Sequence, residues 1–275
     1  MPAAERPHAP RGPVTDGLRD FWDAALLPAD VRPYLEFQAR RYGHIVEALA
    51  ALAPFDSKRV LDLGGGAGSL DVVLHRQFGG TYDLAEFVPP AAAHRAALAT
   101  RGVQEYYRLD LTAPQPLAGL PDGYDLLLFV EVLEHLLVNP LLLFREFWNH
   151  LKPGGYLFLT TPNQSRLRNR FRLLLGRSIK ETGRFPLEAG RTFGHVLEYG
   201  RAELDQLLGV EGFEPVERRV VQQLPSMRPS RVQRLAVAAL NSRALRRWEL
   251  GDDILGLYRK VERPLVRVRD ASGRI

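Results

Sequence analysis

Apolar positions along the chain alternate between two spacings. Residues 32–53 carry Leu35, Ile45, Val46, Leu49 and Leu52 at helical intervals. RVLDL (59–63) is a short apolar run that ends in glycines, the pattern of a buried strand. Residues 68–78 return to the helical spacing. TYDLAEF (81–87) and VQEYYRLDL (103–111) predict two more strands, with a helix over 91–102 between them. YDLLLFV (124–130) is apolar after Asp125, as expected for a strand covered on both faces. A helix should begin at Asn139-Pro140 and stop at KPGG, and GYLFLTT (155–161) predicts a fifth strand. Strand and helix alternate, which predicts an α/β fold with a mostly parallel sheet and helices on both faces.

The pattern changes after Pro162-Asn163. Basic amphipathic helices are expected over 165–177 and 230–248, a further helix over 199–213, and strands over 214–224 and 252–262, the last antiparallel. One domain over 31–262 accounts for this, with a lid insertion at 164–195 and a basic helical insertion at 229–250. Residues 1–30 read as a disordered or loosely packed lead-in, and 263–275 as a tail. A chain of 275 residues, 45% of them hydrophobic, is long enough for one sizeable core.

Composition narrows the chemistry. There is no cysteine, so disulfides, thiolate metal sites and cysteine nucleophiles are excluded. No apolar run approaches bilayer length and the N-terminus has no secretory h-region, which gives the expectation of a cytoplasmic protein. The net charge of +5 is uneven. Residues 228–275 hold 12 Arg and Lys against 5 Asp and Glu, so the basic excess belongs to the C-terminal part.

The strand RVLDL runs into Gly64, Gly65, Gly66 and Gly68, and a helix follows. Such a loop turns sharply and brings backbone N–H groups against a ligand. A dinucleotide fingerprint needs glycine at 69, where the chain has Ser69. The G-x-G-x-G spacing with Asp62 ahead of it resembles the first motif of the class I S-adenosylmethionine-dependent methyltransferases. YDLLLFVEVLEHL, LKPGGYLFLTTPN and HVLEYGRAELDQLLGVEGF are similar to later motifs of that family. The resemblance implies a Rossmann-like sheet and S-adenosylmethionine as cofactor. It implies Glu86 on the ribose hydroxyls and Asp110, with Leu111, near the adenine. Asp62, the glycines and Glu131 would complete the cofactor set.

EVLEH (131–135) ends the fourth strand with two carboxylates and an imidazole. One reading is acid–base, with His135 or His195 taking a hydroxyl proton and Glu131 beside them. The other is a divalent cation that acidifies a bound hydroxyl. E-x-x-E-H is similar to the metal motif of small-RNA 2′-O-methyltransferases and of some quinone-pathway O-methyltransferases. That resemblance implies Glu131, Glu134, His135 and the downstream His195 as ligands.

The lid carries Arg166, Arg168, Arg170 and Arg172 among Leu167, Phe171, Leu174 and Leu175, and should lie over the cofactor pocket. Such a face suits phosphate, an anionic glycan or peripheral contact with a membrane surface, or is simply solvated. Tyr34, Arg40, Arg41 and Tyr42 sit where they can close the pocket, with no role fixed by spacing. No RNA-binding signature is present, so a small-molecule or glycan hydroxyl is the expected acceptor. A metal-dependent RNA 2′-O-methyltransferase and a non-catalytic cofactor-binding module are the alternatives.

Overall fold

The computed structural model describes residues 14–23, 32–88, 90–179, 194–223 and 230–264. Its seven strands are β1 (Arg59–Leu63), β2 (Thr81–Glu86), β3 (Val103–Arg108), β4 (Tyr124–Val130), β5 (Leu151–Pro162), β6 (Phe213–Val221) and β7 (Asp253–Lys260). They pair in the order β3-β2-β1-β4-β5-β7-β6. The first five run parallel, and β7 is antiparallel to both β5 and β6. This is the predicted α/β sheet with its antiparallel last strand.

Period-two burial explains the layers. Val60, Leu126 and Leu128 face one core, with α1 (Val14–Asp23), α2 (Arg32–Leu49), α3 (Ser69–Phe78) and α4 (Ala92–Ala99). Leu61, Leu63, Leu127 and Phe129 face the other, against α5 (Pro140–His150) and α7 (Arg201–Val210). Adjacent residues of one strand thus feed opposite cores. α5 starts where its sequence signal lies: Asn139 caps it, its side chain accepting from Leu141 N–H at 3.0 Å.

Several boundaries differ from expectation. Residues 14–23 were expected in a loose lead-in, yet α1 buries Leu18 and Phe21 in the core. Its apolar stripe is short, but Gly17 lets the helix backbone come close to Val73 of α3. β5 begins at Leu151, the residue before KPGG, and runs through the expected stop, because Leu151 pairs with Tyr124 before the register shifts. The helix predicted over 230–248 is two, α8 (Arg231–Leu240) and α9 (Arg243–Arg246). Asn241 leaves the helix to exchange hydrogen bonds with the backbone of Gln222 at 2.7 and 3.2 Å. Residues 1–13 and 24–30 of the expected lead-in, 180–193 of the lid and 265–275 of the tail lie outside the described residues.

Of the expected lid, the described residues divide: Gly194 and His195 reach His135 at the site described below, and the helix does not. That helix, α6 (Leu167–Leu174), lines neither cavity of the site. It shares a separate groove of about 340 Å³ with α8, through Leu167, Arg168 and Phe171. Asn163 fixes this placement by donating to the carbonyls of Glu249 and Gly251, both at 2.9 Å. Arg166, expected in a basic face, is 7% exposed and paired to Glu198.

Candidate active site

The strand order reverses between β1 and β4, and loops leaving those two carboxyl ends diverge to opposite sides. An open parallel sheet forms its crevice at that point. Two cavities lie there. One, of about 640 Å³, is lined by Gly64, Glu86, Asp110, Leu111, Glu131 and His135, among others. The second, of about 310 Å³, is lined by Arg41, Tyr42, Asp62, Gly65, Gly66 and Glu131, among others. Gly64 and Glu131 line both, so the two cavities form one cleft.

The loop after β1 is built around contacts that exclude a side chain. Gly64 has φ of +78°, and a Cβ there would lie 2.6 Å from Val132. A Cβ at Gly65 would lie 2.3 Å from Asp62 Oδ2. Asp62 is therefore packed beneath the loop while it borders the smaller cavity. Burial raises its carboxyl well above the usual range, and Asp71 and Glu86 add to the shift. Asp71 is pushed up to about 7, mainly by burial. Gly68 caps α3 and lines neither cavity.

Glu86 Oε1 accepts from Gly66 N–H at 2.7 Å, and Oε2 from Phe87 N–H at 3.0 Å. Strand end and glycine loop are thereby tied at the cavity wall. Asp110 accepts from the N–H and hydroxyl of Thr112 at 2.9 and 2.6 Å. Those bonds hold its carboxyl below its ordinary value.

Glu131 sits where the two cavities meet. Its φ of +56° is unusual for a residue with a side chain and turns the chain sharply off β4. Its carboxylate pairs with Arg41 at 3.0 Å and accepts from Thr160 at 2.9 Å. Arg41 also pairs with Asp253 at 3.2 Å and donates to Gln38 at 2.7 Å. Burial, then Asp253, pushes the Glu131 carboxyl up to about 8 against the pull of Arg41. The spacing of the sequence left Arg41 without a role and passed over Asp253. The latter had a signal: Asp253 opens an antiparallel strand, which brings it beside Pro162 at the carboxyl edge of the sheet.

Glu134, His135 and His195 converge, with one ligand-capable atom from each within 4.8 Å of the others. The backbone carbonyl of Glu134 accepts from Val196 N–H at 2.7 Å and Leu197 N–H at 3.3 Å. His135 Nδ1 lies 3.2 Å from the Gly194 carbonyl, and the two imidazoles meet edge to face at 5.2 Å. Thr161 donates to Glu134 Oε2 at 3.0 Å, while the buried Oε1 has no hydrogen-bond partner among the described residues. Burial pushes the Glu134 carboxyl up to about 7 and His135 down. Of the four residues implied as ligands, Glu131 is held apart by Arg41 and Thr160, and the other three form the cluster. Arg166 and Glu198, which sequence reasoning did not place here, stand behind His195.

The profile of the methyltransferase-domain family matches residues 34–218. Similar curated proteins include the ubiquinone biosynthesis O-methyltransferases of Parvibaculum lavamentivorans and Pseudomonas aeruginosa. The first is 29% identical over 156 residues, covering 53% of this chain and 58% of the relative. The second is 30% identical over 145 residues, covering 53% and 59%. The chain thus spans under two thirds of the length of the curated relatives it matches. Among solved structures, a chain from the Haloferax volcanii complex of the Trm112 methyltransferase activator with its methyltransferase superposes with a TM-score of 0.57. It is 17% identical, over 88% of this chain and 98% of that one. An S-adenosylmethionine-dependent methyltransferase from Mesorhizobium loti gives a TM-score of 0.52 at 20% identity, over 78% and 96%.

Proposed function

Because the chain belongs to the class I S-adenosylmethionine-dependent methyltransferases, we propose that it transfers a methyl group to the hydroxyl of a small molecule or glycan. The observation that carries this reading is the bipartite cleft that opens onto His135.

The residues fit S-adenosylmethionine in kind. Glu86, with two acceptor oxygens at the wall of the larger cavity, suits a vicinal diol. Asp110 and Leu111 line the same cavity and suit the adenine. Arg41 offers a guanidinium to an α-carboxylate, and Glu131 a carboxylate to an α-ammonium group, in the smaller cavity. When bound, the cofactor supplies a methyl group on a positively charged sulfur. The chemistry it would supply is transfer of that methyl to the acceptor oxygen, with the carbon–sulfur electron pair left on sulfur. The hydroxyl proton then needs a base, and His135 and His195 are the candidates at the mouth of the cleft.

A specific observation favours a cation at the same place. Glu134, His135 and His195 supply mixed oxygen and nitrogen donors, and Glu134 Oε1 is buried with no hydrogen-bond partner among the described residues, 3.8 Å from His135 Nε2. Such a set suits a borderline transition metal and, less well, magnesium. These three residues would hold it, and it would lower the pKa of a coordinated hydroxyl.

The test is transfer of labelled methyl from S-adenosylmethionine into fractionated host extract, with and without a chelator. Label in a small-molecule or glycan fraction is the expected result. Label in RNA alone would reassign the acceptor. Cofactor binding with no label in any fraction would point to a binding module. Transfer that stops with the chelator and returns with added metal would support the cation.

A further inference from the structure

Glu198 is the carboxylate behind the two imidazoles. Its Oε1 accepts from His195 Nδ1 at 2.9 Å and from Arg166 Nη2 at 2.9 Å. Its Oε2 accepts from Arg166 Nη1 at 2.8 Å and faces Asn169 Nδ2 at 3.4 Å. Arg166 is held in turn by the carbonyl of Asn163, at the end of β5. The fork of the guanidinium leaves the carboxylate little freedom to rotate. Arg166 and Asn169 are both buried, and the chain leading away from His195 is pinned to the backbone of Glu134. A carboxylate that accepts from one ring nitrogen fixes both the tautomer and the tilt of the ring.

We propose that Glu198, held by Arg166, is a positioning residue that keeps the His195 proton on Nδ1 and presents a bare Nε2 to His135 and Glu134. This rests on the function proposed above and adds the device that makes His195 usable there. A bare Nε2 serves either form of the chemistry, as the atom that takes a hydroxyl proton or as a neutral imidazole ligand. It also separates the roles of the two histidines. His135 Nδ1 has a neutral backbone carbonyl as its partner, whereas His195 has a carboxylate. His195 is then the stronger base or ligand of the pair.

The test uses the full chain with ¹⁵N-labelled histidine. Long-range proton–nitrogen NMR reads which ring nitrogen is bare, and His195 is assigned from the signals lost in His195→Gln. The wild-type chain should show His195 with a bare Nε2. Glu198→Gln keeps the size of the side chain but has one acceptor oxygen. Arg166 donates to both oxygen positions, so Asn169, which faces Oε2, decides between them: the amide oxygen should settle at Oε2 and its NH₂ should face His195, whose tautomer can adapt. The proton should then move to Nε2. Glu198→Ala should leave a mixture of tautomers. In the extract assay both variants should transfer label about 10- to 100-fold more slowly. Their affinity for S-adenosylhomocysteine should stay within about twofold of wild type. A wild-type proton on Nε2, an unchanged tautomer in Glu198→Gln, or unchanged transfer in both variants overturns the proposal. If wild type binds no S-adenosylhomocysteine and moves no label while the tautomer still flips, the methyltransferase reading fails and removes the catalytic role. The positioning of the ring would then stand alone.

Discussion

The two halves of the cleft are built in different ways. The glycine loop and most of the larger cavity come from the ends of β1, β2 and β3, with the segment after β4 closing one wall, and each contributing side chain lies within a few residues of its strand end. The half around Glu131, Glu134 and His195 is assembled from α2, the β4 and β5 ends, the segment before α7 and the head of β7. Arg41 and Asp253 meet there from 212 residues apart. The first half is held mainly by backbone geometry, the second by buried charges. Change in the first should therefore act on cofactor binding; in the second, change at Arg41 or Glu131 should act on stability and on the hold on the cofactor's amino-acid end, and change at Glu134 or the histidines on turnover.

The largest expected effect on cofactor binding is at the loop. Gly65→Ala places a methyl group against Asp62 and Leu84, which must shift beneath the loop. Overpacking of about 3 kcal/mol corresponds to roughly 100-fold weaker binding of S-adenosylhomocysteine. Calorimetry reads it, and unchanged affinity would remove the loop from the cofactor site. Next is Arg41→Met. It leaves Glu131 and Asp253 buried together without their shared cation. Breaking a buried pair costs about 3–5 kcal/mol, so Tm should fall by roughly 6–20 °C. A loss under about 2 °C would mean that the two acids find another partner.

A smaller effect concerns pH. The Asp62 and Asp71 carboxyls are raised in the folded chain, so the fold binds more protons than the unfolded state above the ordinary carboxyl range. Their contribution to stability is full below about pH 4 and declines as pH rises towards and through the raised values. Asp71→Asn should flatten the fall in Tm between about pH 4 and 7. An identical slope in the variant would deny the pair this role. The smallest effect is expected at the exposed Arg168, which lines the groove between α6 and α8. Arg168→Ala should change stability by under about 0.5 kcal/mol and leave cofactor affinity unchanged.

What was legible in the sequence follows the same division. Asp62, Gly64, Glu86, Asp110 and Glu131 mark strand ends, and alternation places strand ends on one edge of the sheet. That inference needs only local order. Gly68 shows its limit: it belongs to the glycine pattern but caps α3, because the loop has already turned away from the cleft. Arg166 looked like one arginine in a solvated row, yet its fork is matched by Glu198. Periodicity could not reveal that, since the partner lies 32 residues on. The H-x-x-E spacing of His195 and Glu198 was visible as a pattern. Its meaning depended on Val196 and Leu197 docking onto the carbonyl of Glu134, a tertiary contact. β7 supplied Asp253 to the site only because the last strand returns antiparallel beside β5.

The central claim is that the cavity walls, with Arg41 and Glu131, hold the cofactor while Glu134, His135 and His195 handle the acceptor. The most direct test is one paired measurement on Glu134→Gln: affinity for S-adenosylhomocysteine and the rate of labelled-methyl transfer into host extract. Glu134 touches neither cavity that would hold the cofactor, and Thr161 can still donate to the amide oxygen. Affinity should stay within about twofold of wild type while transfer falls at least roughly 100-fold. Loss of affinity in step with the rate, or full transfer by the variant, would contradict the division.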